Sequence, residues 1–376
     1  MSPARLRYSI AFVLVLVLSS YRSLCGGDAV PVSAESIRDA ISRAIPSLEQ
    51  GSRQSVEKRR CFTCHNQALP VLALSAARSR NISIDENNFK TQLDHTLKHL
   101  KRGEKSYREG RGQGGKVITA GYALWTLSNT VQSEEDITSA VTDYLLSWQR
   151  DKNHWAHPGS RPPSSGSPFT ATYVALRGLA DFGTEAQAMR IELRRQQVAD
   201  WLKTETPKNT EDRVFQLLAF HELEVDDDVQ REAALKLIGL QQEDGGWSQT
   251  TEMTSDAYAT GTVLTALLRT RQAKADESEV RNAARYLLDS QKDDGSWHVR
   301  SRAKPFQTYY ESGFPHGKDQ FISITASAWS VIALTQMLPE KTKSETTQTT
   351  RFRFWRGTSR LPKRSVPSTI AALISP

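Results

Sequence analysis

One element recurs in this chain and limits what it can fold into: a glutamine six residues ahead of a tryptophan, at the end of an amphipathic helical segment. It stands in YLLSWQRDKNHW (residues 144–155), LKLIGLQQEDGGW (235–247) and YLLDSQKDDGSW (286–297), pairing Gln149 with Trp155, Gln241 with Trp247 and Gln291 with Trp297. The last two tryptophans are 50 residues apart and the first two are 92 apart, about two periods of 46. A recurrence of that length is one helical pair per period, and such pairs must stack to bury their apolar faces. The Gly-rich turn in the last two copies brings the tryptophan back onto the preceding helix end and its glutamine, stapling neighbouring repeats.

Two kinds of helix alternate between these markers. One kind is apolar almost throughout: ALPVLALSAARS (68–79), KVITAGYALWTLS (116–128), PFTATYVALRGLA (168–180), TEDRVFQLLAFHE (210–222), SDAYATGTVLTALL (255–268) and ISITASAWSVIALTQ (322–336). Most of these open on Thr, Ser or Asp, which is N-capping chemistry, and continue as core. The other kind, for example SEEDITSAVTDYLLSWQ (133–149) and DESEVRNAARYLLDSQ (276–291), is amphipathic with a charged outer face. No run of β-branched alternation supports a sheet, so the expectation is an all-α protein with six buried inner helices and a half-exposed outer set.

The Gln…Gly-Gly-Trp punctuation with alternating helices resembles the QW repeats of the squalene-hopene and oxidosqualene cyclases, and is similar to the protein prenyltransferase β subunits, over about residues 66–338. The resemblance implies an α/α toroid of about six helical hairpins, with a central cavity able to hold an apolar or isoprenoid-like ligand. It speaks for fold more than for activity. The cyclases' catalytic acid lies in an Asp-x-Asp-Asp-Thr-Ala motif; the matching stretch here is Thr254-Ser255-Asp256-Ala257-Tyr258-Ala259-Thr260, where only Asp256 survives. Asp256 is thus either a general acid without its companion carboxylates or a helix N-cap. Prenyltransferases carry a zinc-binding Asp-x-Cys at the same place; Tyr258 replaces the cysteine, so no zinc and no prenyl transfer to protein are expected.

The strongest chemical motif is Cys61-Phe62-Thr63-Cys64-His65. Two thiols at this spacing can form thioethers with the vinyl groups of a haem, and the adjacent His65 becomes the proximal iron ligand. A redox-active disulfide or a partial zinc site competes with that reading, but no second Cys pair and no thioredoxin-like βαβ pattern accompany the motif. If every inner helix starts at one rim and the last closes on the first, the loop HVRSRAKPFQTYYESGFPHGKDQF (298–321) lies beside His65. His316 is then the first candidate for the distal iron ligand, ahead of His298 and Met253. Arg300, Arg302, Lys304 and Lys318 are candidates for haem propionates or an anionic head group, with Phe306, Tyr309, Tyr310 and Phe314 at a cavity mouth; an ordinary solvated loop is the alternative. His95 and His99, four apart on an outer helix, could share a metal, but read first as a solvated face. Glu211, Asp212 and Arg213 are unusual for a buried helix, and either point inward or cap it. Tyr122, Tyr173 and Trp329 read as core or cavity wall.

The formal charge of +7 invites a nucleic-acid reading, but its distribution argues against one. Residues 1–27 carry Arg5, Arg7 and Arg22 without acids, for +3, and residues 340–376 carry eight Lys or Arg against Glu340 and Glu345, for +6, leaving about −2 for the body. Arg5 and Arg7 before the apolar run Ile10–Leu18, followed by small and polar residues, have the layout of a secretory signal peptide over 1–27; a retained anchor is the alternative. Leu24-Cys25-Gly26 only faintly resembles a lipoprotein site, its bulky leucine arguing against it. Residues 28–60 are expected as an N-terminal helix (33–50) and linker, 61–339 as the toroid, and 340–376 as a disordered tail whose Phe352, Phe354 and Trp355 could touch an anionic membrane. The combined reading is an exported, periplasmic or cell-envelope haem protein with a redox or electron-transfer role and a redox partner protein. A cyclase-like isomerase using Asp256, and a non-catalytic binding protein, are the alternatives.

Overall fold

The computed structural model describes residues 32–129, 134–156, 159, 161–304 and 308–339. The signal-like segment, Cys25, Phe306 and the basic tail lie outside the described residues. Among those residues the chain is all-α, with no strand. In chain order the helices are α1 (Ala34–Lys58), α2 (Leu69–Ser79), α3 (Glu86–Arg102), α4 (Glu104–Arg108), α5 (Lys116–Leu127), α6 (Glu135–Ser147), α7 (Pro168–Phe182), α8 (Ala188–Thr204), α9 (Thr210–Glu222), α10 (Asp227–Ile238), α11 (Ala257–Arg269), α12 (Ser278–Ser290) and α13 (Gln320–Gln336).

Helices α2, α5, α7, α9, α11 and α13 are the expected inner set, and they close a ring: α2 packs on α5, α5 on α7, α7 on α9, α9 on α11, α11 on α13, and α13 back on α2. Their near-continuous burial explains their composition; in α11 every residue from Ala257 to Leu267 is buried. Outer helices bury one stripe. In α12 the buried positions are Val280, Ala283, Ala284, Leu287 and Leu288, a helical face turned inward. The first turns of α7, α9 and α11 touch through Thr170, Glu211 and Tyr258, so these inner helices begin at one common rim.

The repeated tryptophans act as staples, by a mechanism more specific than stacking. Each indole N–H donates to a carbonyl of the preceding outer helix: Trp155 to Leu145, Trp247 to Leu237 and Trp297 to Leu287, at 2.8, 2.7 and 2.7 Å. Each backbone N–H donates to a hydroxyl of the following inner helix, from Thr172, Thr260 and Ser327. In the last two copies the glutamine then reaches the next outer helix: the Gln241 amide donates to the carbonyls of Gly245 and Glu279, both at 2.8 Å. Gln291 repeats the pattern on Gly295 and on Ala40 of α1, at 2.9 and 2.8 Å. Helix α1 is therefore the last outer helix of the ring, and the final staple joins the two ends of the fold. It is also longer than the expected 33–50 segment.

The ring axis is filled at one level. Trp125 (α5), Tyr173 (α7), Phe215 (α9) and Trp329 (α13) meet there, with Trp125–Tyr173 and Tyr173–Phe215 centroids 5.5 Å apart and both Trp125–Trp329 and Phe215–Trp329 at 6.3 Å. Trp329 reaches Trp125 and Phe215 over the intervening helices α2 and α11, so these contacts span the ring. Tyr173 and Trp329 are thus core, packed where an open cavity was expected.

Candidate functional site

The CFTCH segment leaves α1 at Lys58 and enters α2 through a single π-helical turn, Cys64–Ala68. Thr63 caps that turn: its hydroxyl accepts from the Asn66 N–H at 3.2 Å, while the Gln67 side-chain oxygen accepts from the Thr63 N–H at 2.8 Å and hydroxyl at 2.6 Å. A π turn holds one more residue than an α turn and often marks a functional position. Here Cys61 stays exposed and Cys64 half-buried while His65 turns inward, 6% exposed. Both thiols are free. The His65 ring meets Phe321 of α13 edge-on at 5.1 Å, and its Nδ1 lies 3.9 Å from the Cys64 sulfur. Burial, with the Arg161 charge second, pushes the His65 imidazole down to about 3. Burial also raises the Cys64 thiol, against the nearby Arg161.

His95 and His99 are not on a solvated face. They share a buried stripe of α3 with Phe89, Gln92, Thr96 and Leu100, and hold the CFTCH segment from behind. The Phe62 N–H donates to His99 Nδ1 at 3.3 Å, and His95 hydrogen-bonds the backbone of Cys61. Their Nε2 atoms are buried without partners. Burial, then the Arg102 charge, pushes His99 down to about 4. Because His99 binds its proton less readily folded than unfolded, its contribution to stability is complete above its ordinary value of 6.5 and is lost as pH falls towards about 4. We expect the acid limb of a denaturation profile to be shallower in His99→Gln than in the wild type over that window; parallel limbs would remove His99 from the account.

The 298–321 loop does reach the motif. The Tyr310 hydroxyl accepts from the Asn66 amide at 3.0 Å, its ring lies under the Arg59 guanidinium at 4.3 Å, and it packs on Phe321 at 5.3 Å. The histidines of the loop go elsewhere. His316 takes a left-handed backbone, φ 81°, stacks on His298 at 4.6 Å and shares a 2.6 Å hydrogen bond between Nε2 and the Ser296 hydroxyl. His298 pairs with Asp319 at 2.9 Å. No hydrogen bond or ring contact among the described residues joins either to His65. Met253 is half-buried in the turn before α11. Arg300, Lys304 and Lys318 are exposed, Arg300 near Asp319; Tyr309 donates to Glu311, and Phe314 is buried against Gly51 of α1. Arg302 turns to the rim and donates to Gln249 at 2.8 Å.

Asp256 is an N-cap. Its Oδ1 accepts from the Ala259 N–H and its Oδ2 from the Gln249 amide, both at 2.9 Å, so one oxygen caps α11 and the other ties the cap to the segment after Trp247. Burial nonetheless raises its carboxyl. Tyr258, in the position of the prenyltransferase cysteine, donates instead to Glu211 at 3.0 Å. Glu211 also accepts from Thr170 at 2.7 Å, and burial lifts its carboxyl to about 7. Asp212 accepts from the Lys208 N–H, closing the start of α9. Sequence reasoning missed Arg161, whose charge acts on Cys61, Cys64 and Tyr310 from a Pro-rich loop with no motif of its own.

Among the described residues no group of three or more His, Cys, Asp or Glu is placed to hold a metal ion. No protein-family model matches the chain, and comparison with curated proteins finds no significant match.

Proposed function

We propose that the chain is an exported c-type haem protein with a redox or electron-transfer role, built on a toroid akin to that of the terpene cyclases. The carrying observation is the π-turned CFTCH segment: one exposed and one half-buried free thiol, beside a buried, inward-turned imidazole packed on Phe321. The donor set fits a haem. Cys61 and Cys64 would supply the thioethers and His65 the proximal ligand, while Arg161 beside both thiols suits a propionate. When bound, the haem would supply one-electron chemistry. The protein's own part is to hold the imidazole by packing it on Phe321, to screen it from water, and to clamp the attachment loop through His95 and His99.

Acid catalysis by Asp256 has less behind it. Both carboxylate oxygens are engaged, one in the cap and one by the Gln249 amide, and aromatic side chains fill the axis where an apolar substrate would lie. The decisive experiment is expression in a strain competent for haem c maturation. We expect the protein to retain haem after denaturation and acid extraction, Cys61→Ser/Cys64→Ser to lose it, and His65→Ala to keep the thioethers but change its absorption bands. A wild-type protein that matures without covalent haem would refute the proposal.

A further inference from the structure

Glu211 is the most unusual buried group that this reading leaves unused. It is 4% exposed in the first turn of α9, yet its two hydrogen-bond partners are neutral: Thr170 of α7 on one oxygen and Tyr258 of α11 on the other. A carboxylate kept only for structure is normally matched by a cation when buried this deeply. The nearby cation, Arg302, donates to Gln249 instead, and Gln249 is shared with Asp256. On the side of the attachment motif, Tyr258 and Tyr122 are both 1% exposed, and each lies within electrostatic reach of Glu211 and of Cys64. One phenol thus hydrogen-bonds the carboxyl, and both stand near the segment where a haem would be tethered.

The charged and titratable groups facing Glu211 are few. Asp212 on its own helix favours the proton, Arg302 from the rim opposes it, and the Thr170 and Tyr258 hydroxyls stabilise the anion. Burial outweighs these and sets the carboxyl at about 7, where either state is accessible in neutral solution.

We propose that Glu211 is the proton-exchanging group of the ring interior, taking up one proton when the haem site is reduced and releasing it when the site is oxidised. The inference rests on the haem reading above. The balance is one electron in, from an external one-electron donor, and one proton in from solvent. An O–H bond forms on the Glu211 carboxylate during reduction and breaks during oxidation, and no other bond changes. The physical reason is charge compensation: an electron added to a low-dielectric interior is costly unless a proton enters with it.

The test is the midpoint potential of the holoprotein as a function of pH. Around neutrality the potential of the wild type should fall as pH rises, with a slope of at most about 59 mV per pH unit, the tenfold change in proton activity converted for a one-electron couple. Glu211→Gln should flatten that slope, and Tyr258→Phe, which removes a donor to the anion, should move the sloping region to higher pH. Should Glu211→Gln not fold, the Tyr258→Phe displacement carries the test. In the haem-free Cys61→Ser/Cys64→Ser protein, infrared spectroscopy should find a protonated carboxyl band that titrates near neutrality and disappears with Glu211→Gln. Haem bound with a flat potential, or a slope that survives Glu211→Gln, overturns the coupling alone. Absence of haem overturns the coupling together with the haem reading, and absence of the infrared band overturns the assignment of the proton to Glu211.

Discussion

Trp329→Ala is expected to cost about 3–5 kcal/mol and to open the axis of the ring. Trp329 is 1% exposed and meets Trp125 and Phe215 across the ring, so its removal takes a large ring out of the centre of the fold. Its indole N–H makes no hydrogen bond, so the loss is one of packing, slightly offset by freeing an orphaned donor. The surrounding helices have little room to close the gap. A Cβ on Gly261 of α11 would stand 2.9 Å from the Ser330 N, so α11 and α13 are already in backbone contact beside the tryptophan. The space left behind would be lined by Trp125, Tyr173 and Phe215, an apolar void that stays dry and accepts a small apolar probe. Denaturant titration with and without benzene is the measurement; part of the lost stability should return with the probe, as ligand linkage requires. A loss below about 1 kcal/mol with no response to the probe would mean that the ring relaxes and the axis is not a rigid plug.

The parts of the fold that were legible in the sequence are those whose residues report burial directly. The inner helix expected at 210–222 is Thr210–Glu222, and that expected at 116–128 is Lys116–Leu127, because helices enclosed on all sides show almost unbroken apolar composition. The staples were legible for a similar reason: a glutamine, a Gly-rich turn and a tryptophan have one economical arrangement. Helix α1 was read short because its inward face changes chemistry. Up to Leu48 that face is Ile37, Ala40, Ile41, Ala44 and Ile45; beyond it the buried residues are Gly51, Ser52 and Ser55, which carry no apolar signal.

The site was legible in its motif and its neighbouring loop, and not in side-chain direction. Ring topology alone brings 298–321 to the motif, as the Tyr310 and Phe321 contacts bear out in geometry. It cannot foresee that His316 sits in a left-handed turn that carries its ring to His298 and Ser296. His95 and His99 were misjudged because Lys98, Lys101 and Arg102 dominate that stretch, although both histidines fall on the Phe89–Gln92–Thr96–Leu100 stripe. Glu211 stood out as a polar residue in an apolar helix, but its partner Tyr258 lies 47 positions away, and only the closed ring brings them together.

Ring closure carries the second large effect. Gly295→Ala is expected to destabilise the protein by about 3 kcal/mol or more, combining a left-handed backbone with a backbone clash. Gly295 has φ +79°, and a Cβ there would lie 2.0 Å from the Arg43 carbonyl oxygen of α1, an atom that cannot step aside without the helix. Gly245 has the same geometry one repeat earlier, with φ +84° and the Asn282 carbonyl oxygen of α12 at 2.7 Å, so Gly245→Ala should also be costly. Gly110 separates the two contributions: its φ is +72° but nothing lies within 4 Å, so Gly110→Ala should cost only about 1 kcal/mol, the backbone penalty. The closure variant should differ from the Gly245 one in where it loosens the molecule. Gly295 and Gln291 hold α1 to the last repeat, and α1 ends at Lys58, three residues ahead of Cys61. Hydrogen exchange should therefore rise along α1 and into the CFTCH segment in Gly295→Ala, and around α12 in Gly245→Ala. If Gly295→Ala costs no more than Gly110→Ala, α1 is a dispensable strap; if it costs more and α1 exchanges faster, the outer ring depends on a junction between α1 and the last repeat that also fixes the CFTCH motif.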